Sequence, residues 1–284
     1  MFNEGLRPIE LTSINAGDWD MSHVTSTRRM FYRPRQLKTL DVSNWDVSNV
    51  VDAEYTFGGC YSVEALDVSN WDTSNMVDMT GIFSGCYEVK HLPIKNWNTS
   101  KAVEMNRLFT NCGKCTTLEV DDWDVSNVTS MVQMFYLCTG ITHLDLTKWD
   151  VRKVTGWYQF LSDCYSLQSI DLTKWTLSND VTNLNNMFAR CHSLTELVIP
   201  NFYTPNLTQF QSTFAECYKL EYLDISNLDI SKVTNMGYTF GQSNALKRIK
   251  CKQSFKDWCL ANQQKIWLPQ SMREGGGGVW EIVD

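Results

Sequence analysis

Residues Leu40–Val50 read LDVSNWDVSNV, and close relatives of this stretch return at Leu66–Met76 (LDVSNWDTSNM), Leu118–Val128 (LEVDDWDVSNV) and Leu144–Val154 (LDLTKWDVRKV). The tryptophan at its centre belongs to a column, Trp19, Trp45, Trp71, Trp97, Trp123, Trp149 and Trp175, with a constant step of 26 residues. Three more columns keep that step. Phenylalanines run Phe31, Phe57, Phe83, Phe109 and Phe135; Leu161 then substitutes, and Phe188, Phe214 and Phe240 resume after a one-residue insertion near Asn179–Asp180. Cysteines run Cys60, Cys86, Cys112, Cys138, Cys164, Cys191 and Cys217, and aliphatic residues run from Ile14 through Leu40, Leu66 and their successors to Ile249. A unit this short cannot bury its own apolar face, so neighbouring units must stack into a solenoid.

One coil divides into three parts. ALDVS (Ala65–Ser69) alternates with Leu66 and Val68 inward, the period of a short strand. NWDTSN is rich in residues whose short side chains bond nearby backbone. NVTSMVQMFYLC places Val128, Met131, Phe135 and Cys138 at offsets of three and four, which predicts a short helix with one buried face. After Cys251 the period is lost: KQSFKDWCLANQ reads as a helix, KIWLP and VWEIVD as two strands of a hairpin, and QSMREGGGG as their connection. The expected fold is therefore an α/β repeat. It is a leucine-rich-repeat-like, right-handed solenoid with a parallel β-sheet and short helices over residues 1–250, followed by a small C-terminal cap over 251–284.

The unit Leu66–Val89, LDVSNWDTSNMVDMTGIFSGCYEV, resembles the repeats of the BspA-like bacterial leucine-rich-repeat surface proteins, whose pattern is LDxSNWDxSNVxxMxxMFxxC. The resemblance spans about residues 9 to 250 and weakens where Phe202 and Leu228 replace tryptophan. It implies adhesion to host molecules or other cells from a surface or secreted location. Similar repeats in phage proteins make a host-recognition component of a virion or tail the alternative, and a structural spacer without ligand a further one.

Composition narrows the classes. The chain has 284 residues, 43% of them hydrophobic, and a formal charge of −7, which suits a packed fold and disfavours a general nucleic-acid binder. No apolar run approaches the length of a membrane span, and the start, MFNEGLRPIELTS, lacks a signal-peptide pattern. Charge is uneven: Arg28, Arg29, Arg33, Arg35 and Lys38 crowd one end and Lys247, Arg248, Lys250, Lys252 and Lys256 the other, read as charged caps rather than an anion site.

No enzymatic constellation emerges. Seven of ten cysteines occupy the repeat column and read as buried small hydrophobes. The single CGKC (Cys112–Cys115) lacks the second pair a zinc site needs, and Gly275–Gly278 lacks the Lys-Ser/Thr of a phosphate loop. The outward acidic column Asp41, Asp67, Glu119, Asp145, Asp171 and Asp224 requires something to offset its repulsion. Bonding to adjacent Ser/Thr and turn amides is the plain answer, calcium the functional one. No cofactor is expected. The position before the aliphatic column varies (Thr39, Ala65, His91, Thr117, His143, Ser169, Glu196, Tyr222, Arg248). The expected function is non-enzymatic recognition of a protein or glycan, through an exposed sheet face that includes His91, His143, Asp145, Asp171, Tyr222 and Asp224. Sequence leaves the oligomeric state open.

Overall fold

The computed structural model describes residues 11–283; the first ten residues, with the start of the N-terminal partial coil, lie outside them. The chain winds as a solenoid of stacked coils with a leucine-rich-repeat-like inner column. Strands are short: β1 (Ser13–Asn15), β2 (Thr39–Asp41), β3 (Glu196–Val198) and β4 (Tyr222–Asp224) have three residues each, and β2 and β4 end in an aspartate that turns the chain by accepting from the amide two residues on. β5 (Arg248–Lys252) and β6 (Val279–Val283) have five. All pairing is parallel, with Ile14 on Leu40, Leu197 on Leu223 and Leu223 on Ile249.

The sheet is not continuous. A two-stranded sheet and a four-stranded sheet flank middle coils in which the sheet side is reduced to isolated bridges, among them Thr39–Ala65 and His143–Ser169. Pro93 supplies one reason. It stands where Asp67 stands in the coil before it, and it brings no N–H to a ladder.

The main departure from expectation lies on the other side of each coil. Residues 128–138 are not helical but form consecutive turns, stacked in parallel on the turns of neighbouring coils. Alternate amides donate across the stack: Met131 N to Gly156 O (3.0 Å), Gln133 N to Tyr158 O (2.9 Å), Phe135 N to Phe160 O (3.0 Å) and Leu137 N to Ser162 O (3.0 Å). The amides between them close local turns, as Met134 N does on Met131 O. An α-helix would spend all these amides within the coil. Gln133 and Leu137 take positive φ (58° and 60°), and Arg107 and Asn111 do the same one coil earlier, so the helix is broken twice per coil. The apolar spacing of three and four is preserved because the turns bury the same residues, Met131, Met134, Phe135 and Cys138. The extra residue near Asn179–Asp180 moves these bonds by one position without breaking the stack: Gln159 N reaches Asn185 O and Leu161 N reaches Met187 O.

Inside, the tryptophans stack face to face. Trp71 and Trp97 lie 6.0 Å apart at 2°, and Trp97 and Trp123 6.1 Å apart at 3°. From Trp45 to Trp175 each indole N–H of the column donates to a carbonyl of the preceding coil, as Trp45 to Ala16 O (2.8 Å) and Trp149 to Val120 O (2.9 Å). The phenylalanine column runs beside it, with Phe83 and Phe109 5.9 Å apart. At Leu161 the column is carried by its neighbour Phe160, packed edge-on to Phe135 at 5.3 Å and to Trp157 at 5.1 Å.

All ten cysteines are free and buried. The column thiols point at phenylalanine carbonyls one coil back, with Cys112 Sγ 3.2 Å from Phe83 O and Cys138 Sγ 3.0 Å from Phe109 O. Ser243 continues the column: its hydroxyl donates to Phe214 O (2.5 Å) and accepts from Cys217 N (3.0 Å). Burial pushes the thiols up, Cys217 to about 12 and Cys115 to about 11. The expected result is that Ellman's reagent near pH 8 labels essentially no thiol in the native chain and all ten after denaturation. Rapid labelling of the folded chain would overturn the buried-ladder assignment.

The C-terminal segment caps the stack differently from a hairpin. Helix α1 (Gln253–Ala261) follows β5 directly, and KIWLP forms turns rather than a strand. β6 pairs parallel to β5, with Trp280 opposite Ile249. The hairpin reading fails because the turns of residues 265–268 are spent on the end of the turn stack, where Lys265 O and Ile266 O accept from Tyr238 N (3.0 Å) and Phe240 N (2.9 Å).

Candidate functional site

The outward sheet face is built by the residues flanking each inward aliphatic. His91 and His143 are both exposed, separated by the coil that carries Thr117, about 10 Å by strand spacing. They share a column but not a site. His143, Asp145 and Asp171 form a closer group: His143 pairs with Ser169, and Asp145 and Asp171 stand at equivalent positions of adjacent coils.

The carboxylates are held by their own turns. Asp145 Oδ1 accepts from Thr147 N (3.0 Å) and Thr147 Oγ1 (2.7 Å); Asp171 Oδ1 does the same with Thr173 (2.9 and 2.6 Å), and Asp41 and Asp67 with Ser43 and Ser69. A second such turn follows in the same coil, where Asp72 Oδ1 accepts from Ser74 N (3.0 Å), and a third where Asp78 accepts from Thr80 N (2.9 Å). The aspartates therefore shape the corners, and repulsion along the column is offset locally.

The threonine hydroxyl and then its amide hold Asp145 and Asp171 below the usual carboxylate range, and Ser43, amide first, does so for Asp41. The folded pKa thus lies below the unfolded one, so these bonds stabilise the chain fully above about pH 4 and are lost as pH falls through the depressed values. We expect the urea midpoint to fall on acidification below that point, and Asp145→Asn to shallow this decline. An unchanged acid limb in the variant would show that Asp145 contributes nothing to it.

Asp224 departs from the exposed-face reading. It is buried, its Oδ1 is taken by Ser226 N (3.1 Å) and Oγ (2.5 Å), and Lys250, one coil on, covers its other oxygen at 3.2 Å. A carboxylate engaged on both oxygens is a structural ion pair, not a contact residue. Tyr222 is half-buried, with the Arg248 guanidinium 4.0 Å from its ring centroid. The two residues line an open recess of about 440 Å³, closed on one side by Gly276–Gly278. A side chain at Gly276 would stand 2.0 Å from Gln270 O, so the glycine run allows a close backbone approach here.

Of the CGKC pair, Cys112 Sγ donates to Phe83 O (3.2 Å) and Cys115 Sγ to Thr117 O (3.1 Å), and no third Cys or His joins them among the described residues. Three acidic side chains that approach one another, Asp52, Glu54 and Asp78, lie on the turn-stack side, where Arg28 and Arg29 bind Glu54 at 2.5 and 3.1 Å. No helix among the described residues is long and apolar enough to cross a membrane.

The family model described as "Mycoplasma protein of unknown function, DUF285" matches residues 1–116, 84–193 and 158–267 in tandem. No curated protein matches the chain. Among solved structures, a leucine-rich repeat protein from Bacteroides ovatus is 19% identical with a TM-score of 0.43, covering 79% of this chain and 57% of that one. The chain thus spans little more than half that protein's length. An internalin (inlF) from Listeria monocytogenes is 12% identical (TM-score 0.28, 78% and 70% covered). The functional domain of InlJ from Listeria monocytogenes, which includes a cysteine ladder, is 11% identical (TM-score 0.31, 85% and 60% covered).

Proposed function

We propose, from the premise that this chain belongs to the DUF285 family, that it is a non-enzymatic recognition module of BspA-like type, acting at a cell surface or after secretion. It presents its outward sheet face to a protein or glycan and needs no cofactor. The solenoid over 1–250 is the binding body and 251–284 its cap.

One observation carries the reading. Core columns repeat Trp, Phe, Cys and Leu almost unchanged, while the outward position just before the aliphatic column changes from each coil to the next and stands exposed, as at His91, Thr117, His143 and Ser169. A scaffold that fixes its interior and varies its surface supports recognition. The candidate contact residues are His91, His143, Asp145, Asp171 and Tyr222; Asp224 acts behind them by holding Lys250.

The test is binding of the labelled chain to a panel of host matrix proteins, glycans and bacterial cells. The expected result is a saturable hit that is lost in a His143→Ala, Asp145→Ala, Tyr222→Ala variant of unchanged thermal stability. A panel with no saturable hit, or a hit indifferent to the triple variant, would reject the sheet face as the recognition surface.

A further inference from the structure

The turn-stack side of the first four coils carries a second, chemically distinct surface. Its first row stands at the left-handed positions Arg29 (φ 54°), Tyr55 (φ 52°), Gly81 (φ 59°) and Arg107 (φ 56°). These side chains form one network. Arg29 lies 5.5 Å from the Tyr32 ring and 5.8 Å from the Tyr55 ring, Arg33 lies 4.9 Å from Tyr32, and the two tyrosine rings meet edge-on at 5.8 Å. Arg107 Nη1 donates to Tyr55 OH (3.2 Å) across a whole coil. That reach is open because position 81 is glycine: a Cβ there would stand 2.4 Å from the Tyr55 ring.

A second row, Arg35, Tyr61 and Tyr87, recurs at one step of the period, with the tyrosines 41% and 38% exposed. Between the rows, Gly59 and Gly85 take the next left-handed position and are buried, so that Arg33 and the Tyr61 ring lie over them: a Cβ would stand 2.8 Å from Arg33 Cγ at the first and 3.1 Å from the Tyr61 ring at the second. The chain carries −7 overall, yet this strip gathers Arg28, Arg29, Arg33, Arg35 and Arg107, all exposed. Its carboxylates stand at the margins: Asp52, Asp78 and Glu104 stack along one side, with Glu54 tied down by Arg28 and Arg29, and Glu88 beside Tyr87 is paired with Lys114 at 2.5 Å.

We infer that this strip is a binding site for an acidic polysaccharide lying along the solenoid axis. Guanidinium groups held on tyrosine faces are pre-oriented for carboxylate or sulfate, and less ordering is lost when they bind. Exposed tyrosine rings beside them offer the flat, amphipathic surface on which a sugar ring packs, with an O–H at the edge for its hydroxyls. Gln133, on the coil after Arg107, accepts from Arg107 Nε at 2.6 Å and so helps to hold that guanidinium in place. An acidic peptide would use the arginines but would leave the exposed rings of Tyr61 and Tyr87 without a role.

The repeat columns supply substitutions that the backbone accepts. Gln133 and Gln242 occupy the Arg107 and Arg33 columns with φ of 58° and 60°, and Thr139 occupies the column of Tyr61 and Tyr87. The experiment measures binding of the full chain to chondroitin sulfate, with dextran and polyglutamate as comparators. It uses Arg33→Gln/Arg107→Gln, Tyr61→Thr/Tyr87→Thr and the sheet-face variant His143→Ala, each checked for unchanged thermal unfolding.

We expect saturable, salt-weakened binding to chondroitin sulfate alone, a loss of about tenfold or more in the arginine pair, a clear loss in the tyrosine pair, and no change in His143→Ala. Three results would overturn the assignment. They are no saturable binding to chondroitin sulfate, equal binding to polyglutamate, or a tyrosine pair that binds as the wild type does, which would reduce the strip to ion exchange. Should the tyrosine pair unfold, the single Tyr61→Thr decides in its place.

Discussion

Replacing Trp97 by alanine is expected to destabilise the chain by about 3–5 kcal/mol, read as a lowered urea midpoint. Trp97 lies between Trp71 and Trp123 and packs on Phe83 at 5.5 Å, so the variant opens a cavity bounded by rings on three sides. It also removes the indole N–H that donates to Val68 O at 3.2 Å. That carbonyl still accepts from Trp71 N at 3.3 Å, so most of the loss comes from packing rather than from an orphaned acceptor. Trp97→Phe, which keeps a ring in the stack, should therefore lose much less. Trp19 provides the internal comparison. It is 45% exposed and stacks on one tryptophan only, Trp45 at 6.1 Å, so Trp19→Ala should cost about 1 kcal/mol, near the ordinary level for a partly exposed site. Equal losses at Trp19 and Trp97 would show that the tryptophan column does not stabilise the coils by stacking.

The contrast between those two positions rests on the period, and the period was the most legible feature of the sequence. Trp, Phe, Cys and Leu recurring together define which side chains meet across coils, and the structure places them so. What the sequence concealed was how the backbone between them is bonded. Val128, Met131, Phe135 and Cys138 have the spacing of a helical face, but stacked turns bury the same set. The mark of those turns is a pair of left-handed residues four positions apart in each coil, and at Arg107, Gln133, Leu137 and Asp163 the residue is not glycine, so no glycine pattern announced it. Once a neighbouring coil accepts the amide, the cost of that conformation is offset, which is a tertiary effect.

Similarly, VWEIV carried the alternation of a strand but no sign of its partner, and it pairs in parallel with β5 instead of turning back on KIWLP. Other features were within reach of the period and missed. Lys250 stands one step after Asp224 and neutralises it, and Ser243 stands one step after Cys217 and continues its ladder. The outward face is different in kind. Nothing in a column that varies from coil to coil fixes a ligand, so its residues could be placed but not assigned a partner.

Deleting residues 253–284 is expected to unfold the last coils while leaving the first ones intact. The deletion takes away β6, α1 and the turns at 265–268 together. It uncovers Phe240, Leu246, Ile249 and Cys251, all fully buried in the intact chain, and leaves the amides of Tyr238 and Phe240 without the carbonyls of Lys265 and Ile266. A strand edge and an apolar coil end exposed together favour association with other chains. Because each coil touches only its neighbours, the damage should decay along the axis rather than spread to the whole molecule. Hydrogen exchange measures this directly. Protection should vanish at Tyr238 and Phe240, fall in the coil of Phe214, and remain near the intact value at Phe57 and Phe83. A uniform loss of protection from Phe57 to Phe240 would mean that the solenoid unfolds as one cooperative unit, and unchanged protection at Phe240 would mean that the C-terminal segment is not its cap. Only the graded result agrees with a stack in which alternate turn amides of each coil are satisfied by the next coil and those of Tyr238 and Phe240 by the segment folded over the last.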